Sequence, residues 1–410
     1  MSLIKANSVQ IGQSSTATQN FTLSVPSSPD GTIKLARGNS GATTQDILSV
    51  SSSGLVTVNN LNNQSFRNRI INGDMRIDQR NAGASVTPSN GSYTLDRWNF
   101  SLTQASKLTA QQVTISSPES AGNNNKSLKI TSSSAYSIVS SDYFLLGQFI
   151  EGLNSSDLGW GTSGARSVTL SFWVKSSLTG TFGGVFANSA TARAYPFTYT
   201  ISSANTWEQK TITASGDTSG TWLTDSGIGI RVYFGLGVGS DFNGTAGAWG
   251  GGKLGATGAT SVVGTNGATW EITGVQLEAG STATEFERRP YGTELALCQR
   301  YYWKIFSTAA TKFFFQGYMY FTTQLEGLIK FPAPMRSVPT VSASPASQFQ
   351  LRLTTNNLTN IYGYAAANEP APITQMLLYT SNSAVASLGY SQSVISNSST
   401  TTYIDFSSEL

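Results

Sequence analysis

The 410-residue chain has no histidine and one cysteine, Cys298. Without histidine it lacks the commonest metal ligand and the usual proton carrier at neutral pH, and one thiol excludes an intramolecular disulfide framework. Cys298 stands in LALCQRYY, an apolar and aromatic stretch that suits a buried, inert thiol better than a nucleophile with a base beside it. Charge is scarce as well. Asp, Glu, Lys and Arg make up 11% of the residues, less than half of the roughly 25% usual in globular proteins. The net charge of +3 is spread along the chain without a Lys/Arg block, so the electrostatic footprint of a nucleic-acid binder is missing. No run approaches the roughly 18 apolar residues of a membrane span, and MSLIKANSVQIGQ holds no apolar core of signal-peptide length. The expectation is a product made in a cytoplasm, without general export and without membrane insertion.

What the chain has is apolar residues at 39%, aromatics at 11%, and 40 glycines among abundant Ser, Thr, Asn and Ala. That is enough apolar material for sizeable cores, so low charge does not mean disorder here. Hydroxyl and amide side chains on exposed faces, with aromatic and β-branched residues opposite, predict an all-β protein with Gly and Asn turns.

Three regions follow from the pattern. Residues 1–62 alternate short strand-like runs (SVQIG, NFTLSV, GTIKLA, DILSV) with turns, and their thin apolar content predicts an N-terminal attachment or oligomerisation segment that docks on partners. The polar run NLNNQSFRN marks the boundary, and RNRIINGDMRIDQRN opens the next unit at an Asn72-Gly73 turn. Residues 63–291 carry strands at regular spacing, among them SVTLSFWVKS, with Val168, Leu170, Phe172 and Val174 on one face and Trp173 on the other. This spacing predicts a central antiparallel jelly-roll sandwich. The stretch from Asn243 to Gly267 is too glycine-rich for one regular element and is expected as an excursion loop. RRPYGTELALCQRYYWKIF reads as a helical hinge, with Thr293 placed to cap it and Leu295, Cys298 and Tyr302 along one side. Residues 292–410 return to β-signals, giving a C-terminal β domain as a distal head or receptor contact.

Three stretches, FRNRIINGDMRIDQRNAG with YTLDRW, GVQLEAGSTATEFERRPYGTELALCQRYYWK, and IKFPAPMRSVPTV, resemble bacteriophage tail-fibre and virion structural proteins with a carbohydrate-binding-module-like jelly roll. The resemblance covers roughly residues 66–410. It implies a virion protein, usually a homotrimer, attached to other virion proteins through residues 1–62 and contacting host cell-surface polysaccharide. Head-bound decorations share the domain pair and form the alternative. In the family, Gly274 to Arg289 forms the last sandwich strand and its exit. Val275 and Leu277 alternate inward from Gln276, and Glu285, Phe286, Glu287, Arg288 and Arg289 suit an ion-paired seam. Trp98 is expected in the core, with Asp96 or Arg97 tying adjacent loops.

Sugar binding on such a fold needs flat aromatic faces flanked by hydrogen-bonding side chains. Trp160, Tyr195, Trp207, Trp222 and Trp249 all lie near turns and are the candidate carbohydrate-binding residues, each with half-buried packing as its competing role. Glycan cleavage by the usual route needs two carboxylates across a cleft. Asp142, Glu151, Asp157, Asp225 and Asp241 are the candidates by elimination, none belongs to a motif, and no catalytic residue is assigned. A depolymerising tailspike, or a secreted glycan-binding or glycan-degrading protein, stays a lesser alternative. Ca²⁺ on loop oxygens is the one fitting metal, yet no D-x-D-x-D loop occurs, and Lys253 is followed by Leu254, which breaks a phosphate-loop pattern. No cofactor and no metal are expected.

Overall fold

Strands form where period-two alternation sets branched or aromatic residues on one side, and Gly, Asn and Ser turn the chain between them. The computed structural model describes residues 8–11, 13, 15, 20–24, 33–39, 42–50, 56–58, 66–307, 312–351, 358–364, 373–382, 391–396 and 401–410. Two compact units result, Met1–Phe66 and Arg67–Leu410. The polar run at 60–65, expected as a boundary, lies outside the described residues.

The first unit is a meander of β1 (Ser8–Ile11), β2 (Phe21–Ser24), β3 (Ile33–Asn39), β4 (Ala42–Val50) and β5 (Val56–Val58), each antiparallel to the next. Asn20, Thr22 and Ala36 are buried, whereas Ile11, Phe21, Leu23 and Ile33 are exposed. The described part of this sheet thus keeps small and polar side chains inside and leaves larger apolar ones in water.

In the second unit the strands are β6 (Tyr93–Leu95), β7 (Trp98–Leu102), β8 (Leu108–Thr114), β9 (Lys126–Ser132), β10 (Tyr143–Glu151), β11 (Val168–Ser176), β12 (Gly180–Ala187), β13 (Ala194–Ile201), β14 (Glu208–Ala214), β15 (Ile228–Val238), β16 (Asn243–Gly244), β17 (Gly255–Ala256) and β18 (Thr269–Ala279). A six-stranded sheet runs β13-β12-β15-β10-β7-β6 and a five-stranded sheet runs β14-β11-β18-β9-β8. Their inner faces close on one aromatic-rich core containing Trp98, Phe172, Tyr199, Phe234 and Trp270. Phe172 meets Phe234 and Tyr199 edge-on at centroid separations of 5.1 and 5.0 Å, the arrangement the ring quadrupoles favour. This is the antiparallel sandwich of the jelly-roll kind that the spacing predicts, and β11 buries Val168, Leu170, Phe172 and Val174 as expected.

One irregularity sets which residues of β18 face outward. Trp270 and Ile272 point into the core, and so do Val275 and Leu277, a change of parity that requires one extra residue. The register against β11 shifts between Ser171 and Trp173, and Gly274 opposite has φ +60°, the left-handed region that favours glycine. A Cβ there would lie 2.6 Å from Asn124 Nδ2. Before the bulge, Glu271 faces out. Beyond it, Gln276 is covered by the exit segment, whose Glu287 N–H donates to Gln276 Oε1 at 2.8 Å.

After the sandwich come α1 (Tyr291–Gln299), β19 (Tyr302–Phe306), β20 (Phe313–Phe321), β21 (Gln324–Met335), β22 (Thr340–Ala343), β23 (Phe349–Leu351), β24 (Leu358–Tyr364), β25 (Ile373–Asn382), β26 (Ser391–Ser396) and β27 (Tyr403–Ser407). They form a three-stranded sheet β19-β27-β22 and a six-stranded sheet β23-β26-β20-β21-β25-β24 around a second core that includes Met319, Leu325, Phe349, Leu378 and Phe406. Pro290, not Thr293, precedes the helix at its N-terminus, and no side chain caps it. The proline needs no N–H there, and Thr293 already lies inside the first turn. Tyr302 belongs to β19, beyond the helical side on which the spacing put it.

The expected hinge is a tied seam within one unit. Glu151, fully buried, accepts from Arg300 Nε and Nη2 at 3.0 and 2.6 Å and from Tyr301 Oη at 2.7 Å. Arg97, also buried, pairs with Glu409 and lies 3.6 Å from the Tyr301 ring centroid. Arg80 joins the same Glu409 carboxylate at 2.7 Å. Asp96 accepts from Gln79 N and Nε2 at 2.7 and 2.8 Å, and Trp98 donates to Asn72 O at 3.1 Å from the core. Arg289 pairs with Glu287 and Glu294, so the expected ion-paired exit is present. Cys298 is buried in this seam, and burial pushes its thiol up.

Candidate functional site

Four of the five candidate aromatics come together at one rim of the sandwich. Trp160 meets Trp222 at 4.6 Å and Trp249 at 5.2 Å, edge to face in both cases. Trp222 and Trp249 are 5.5 Å apart, and Tyr195 lies 5.2 Å from Trp249. The glycine-rich stretch delivers Trp249: Gly250 bridges to Ala194 on β13, and β16 pairs in parallel with β17. Each indole N–H is used inside the protein. Trp160 donates to Arg166 O at 2.8 Å, Trp249 to Ser215 O at 2.8 Å, and Trp222 to Ser219 O at 3.2 Å. The Asp217 carboxylate beside Trp222 is bound bidentately by Arg193 at 2.8 and 2.6 Å. Trp160 and Tyr195 are buried, whereas Trp222 and Trp249 stay half-buried and pack against the sandwich core, so the interlocked rings with satisfied N–H groups contribute to packing at the rim.

Trp207 lies elsewhere, where the chain enters β14, and lines a cleft of about 380 Å³ on the outer face of the five-stranded sheet. The cleft is built by strand register. Lys129 on β9 stands opposite Glu271 on β18, and Glu271 stands opposite Lys175 on β11. Because neighbouring strands are about 4.8 Å apart, this makes a row of charged side chains leading to the tryptophan. Lys175 Nζ is 3.1 Å from Glu271 Oε1 and 5.0 Å from the Trp207 ring centroid, and Ser127 Oγ donates to Glu271 Oε2 at 3.2 Å. Thr114, Ser116, Ser117, Ser120 and Asn205 complete the walls with hydroxyl and amide groups. Among the described residues, the Trp207 indole N–H meets no acceptor.

Sequence reasoning named Trp207 but missed Lys129, Lys175 and Glu271. Their outward parity was readable, since Leu128, Val174 and Trp270 beside them point inward. That β9, β18 and β11 are neighbours was not, for their pairings join residues some 95 to 145 positions apart.

The five carboxylates considered for cleavage are scattered. Glu151 is in the seam. Asp142 accepts from Thr103 Oγ1 at 2.8 Å, Tyr136 Oη at 2.8 Å and Val139 N at 3.0 Å. Burial raises the pKa of Asp142, these hydrogen bonds outweigh it, and the carboxyl stays below its usual range. Asp157 pairs with Arg69, Asp225 accepts from Gly227 N, and Asp241 from Ser140 Oγ. Each serves a local structural partner. No cluster of three or more Cys, Asp or Glu suited to a metal ion occurs among the described residues, and no described helix is long and apolar enough to cross a membrane.

Fold and site define the class: an all-β protein with an antiparallel jelly-roll sandwich, an open aromatic and polar cleft on one sheet, and further β-sheets joined to it. No protein-family model and no curated protein matches the chain. Solved structures similar to part of it include the enzymatically active domain of tailspike protein 4 of bacteriophage CBA120, at 13% identity over 52% of this chain and 22% of that one, with a TM-score of 0.29. Others are the TmCBM61 carbohydrate-binding module in complex with beta-1,4-galactotriose, at 12% identity over 52% of this chain and 99% of that one, TM-score 0.27, and the family 11 carbohydrate-binding module of Clostridium thermocellum with a mixed-linked tetrasaccharide, at 10% identity over 48% and 98%, TM-score 0.24. The matched region therefore spans about a fifth of that tailspike domain and nearly all of each module.

Proposed function

We propose that this chain is a non-enzymatic structural component of a bacteriophage virion, a homotrimeric tail fibre or receptor-binding protein whose sandwich holds host-surface glycan in the Trp207 cleft. The observation that carries the glycan part is the cleft itself: an indole among hydroxyls, an amide and an ion pair, on a rigid sheet face. An aromatic face covers the apolar side of a pyranose while polar neighbours bond its hydroxyls. The virion part rests on the three sequence stretches that resemble phage fibre proteins. Assembly is supported by apolar side chains left in water: Ile11, Leu23 and Ile33 in the first unit, and Tyr318, Tyr320, Phe321 and Leu328 on the β20–β21 hairpin.

Calorimetric titration of the full chain with surface polysaccharide from adsorption-competent cells tests the glycan part. Binding by the wild type and loss of binding in Trp207→Ala is the expected result, and equal binding by both overturns the site. Sedimentation at micromolar concentration is expected to give a trimer. A monomer, or oligosaccharide release by the purified protein, overturns the corresponding part. Antibodies to residues 295–410 that bind intact particles yet leave adsorption untouched would favour a head-bound decoration.

A further inference from the structure

The cleft carries a charge imbalance that bears on what it holds. Three charged side chains line it: Lys129, Lys175 and Glu271. Lys175 is answered by Glu271 at 3.1 Å, and the second oxygen of that carboxylate is taken by Ser127 Oγ at 3.2 Å. Lys129 is the cross-strand neighbour of Glu271 on the other side, yet among the described residues its ammonium forms no ion pair and no hydrogen bond. Glu271 is 6% exposed and its two oxygens are engaged by Lys175 and Ser127. The cleft floor therefore presents one unanswered positive charge, about two strand spacings or 10 Å from Lys175 across the sheet, with Trp207 beyond it.

We infer that the cleft selects an acidic glycan, one whose sugar ring carries a carboxylate, with the carboxylate at Lys129 and a neighbouring ring against Trp207. The inference rests on the glycan-binding reading above and adds the ligand's charge. A lone ammonium matches a uronate's single negative charge, whereas a phosphate monoester brings about −1.5 to −2. A charge-assisted hydrogen bond is about twice as strong as a neutral one, so the carboxylate discriminates between sugars that stack equally well.

The test titrates the full chain with polygalacturonate, alginate and hyaluronate, each beside its carboxyl-reduced form, and with dextran sulfate beside dextran. At least one uronate polymer is expected to bind about tenfold more tightly than its carboxyl-reduced form, with the advantage shrinking as salt rises. Lys129→Gln is expected to remove that advantage, so that acid and reduced forms bind alike, while Trp207→Ala weakens both. Lys129 is partly exposed, so the variant should fold, and an unchanged thermal melt checks it. Equal binding of acid and reduced forms, or a Lys129→Gln variant that keeps the preference, overturns the acidic selectivity and leaves the glycan cleft standing. Preference for dextran sulfate over every uronate overturns the carboxylate assignment. Silence of all the polymers overturns the uronate selectivity, and only silence of the host-surface polysaccharide as well overturns the glycan reading.

Discussion

The rim cluster and the sheet-face cleft use the same residue type for opposite ends. At the rim, Trp160, Trp222 and Trp249 turn edges to faces and donate every indole N–H to an oxygen of the protein. In the cleft, Trp207 stands beside hydroxyls, an amide and charges that face outward. An aromatic whose face and N–H are both satisfied internally contributes stability. One whose polar surroundings face solvent is available to a ligand. The same contrast separates the seam, where Glu151 and Arg97 are buried and paired with Arg300 and Glu409, from Lys129. Closed regions should answer mutation through stability and leave binding alone, and the open cleft should do the reverse.

The largest effect is expected at the rim. Trp160→Ala removes a buried ring from the sandwich core and should cost about 3–5 kcal/mol, read as a lower denaturation midpoint. A cost under about 1 kcal/mol would mean the rim is not closed. Next comes Glu409→Gln, which leaves the buried Arg97 guanidinium without its anion and should cost about 3 kcal/mol, with unchanged glycan affinity.

Asp96 supplies a pH-dependent test of the closed seam. Burial pushes its carboxyl up to about 6, against the pull of Arg80 and the Gln79 hydrogen bonds. A raised carboxyl binds its proton in the folded state at pH values where the unfolded chain has lost it. The contribution to stability therefore grows as pH falls from 7 through 6 and shrinks as pH rises. Between pH 7 and 5 the gain should be about 1 kcal/mol. Denaturant titrations at both pH values should show this increment in the wild type relative to Asp96→Asn, and parallel curves would contradict it. Smallest in stability is Trp207→Ala, expected within about 0.5 kcal/mol of the wild type while glycan affinity falls. A large loss of stability there would erase the contrast between the two regions.

Much of the architecture was readable in advance. The inward set of β11 and the ion-paired exit around Arg289 follow from parity and residue type, while Trp98 in the core and the tying of loops by Asp96 or Arg97 were implied by the resemblance to phage fibre proteins. The helix cap at Thr293 was not, because Pro290 takes the entry and a capping side chain is dispensable there. The site was half legible. Aromatics near turns could be named, but rings at 160, 195, 222 and 249 converge only once the glycine-rich stretch folds back onto β13.

By itself the sequence determined the class, through alternation with period two and glycine and asparagine at the turns. Those are local properties, and a strand's faces are set by its own residues. Only the tertiary structure decided which tryptophans cluster at the rim and which one lines the sheet-face cleft. Strand adjacency is non-local, the Gly274 bulge resets parity within β18, and the row from Lys129 through Glu271 to Lys175 exists because three distant segments share one sheet.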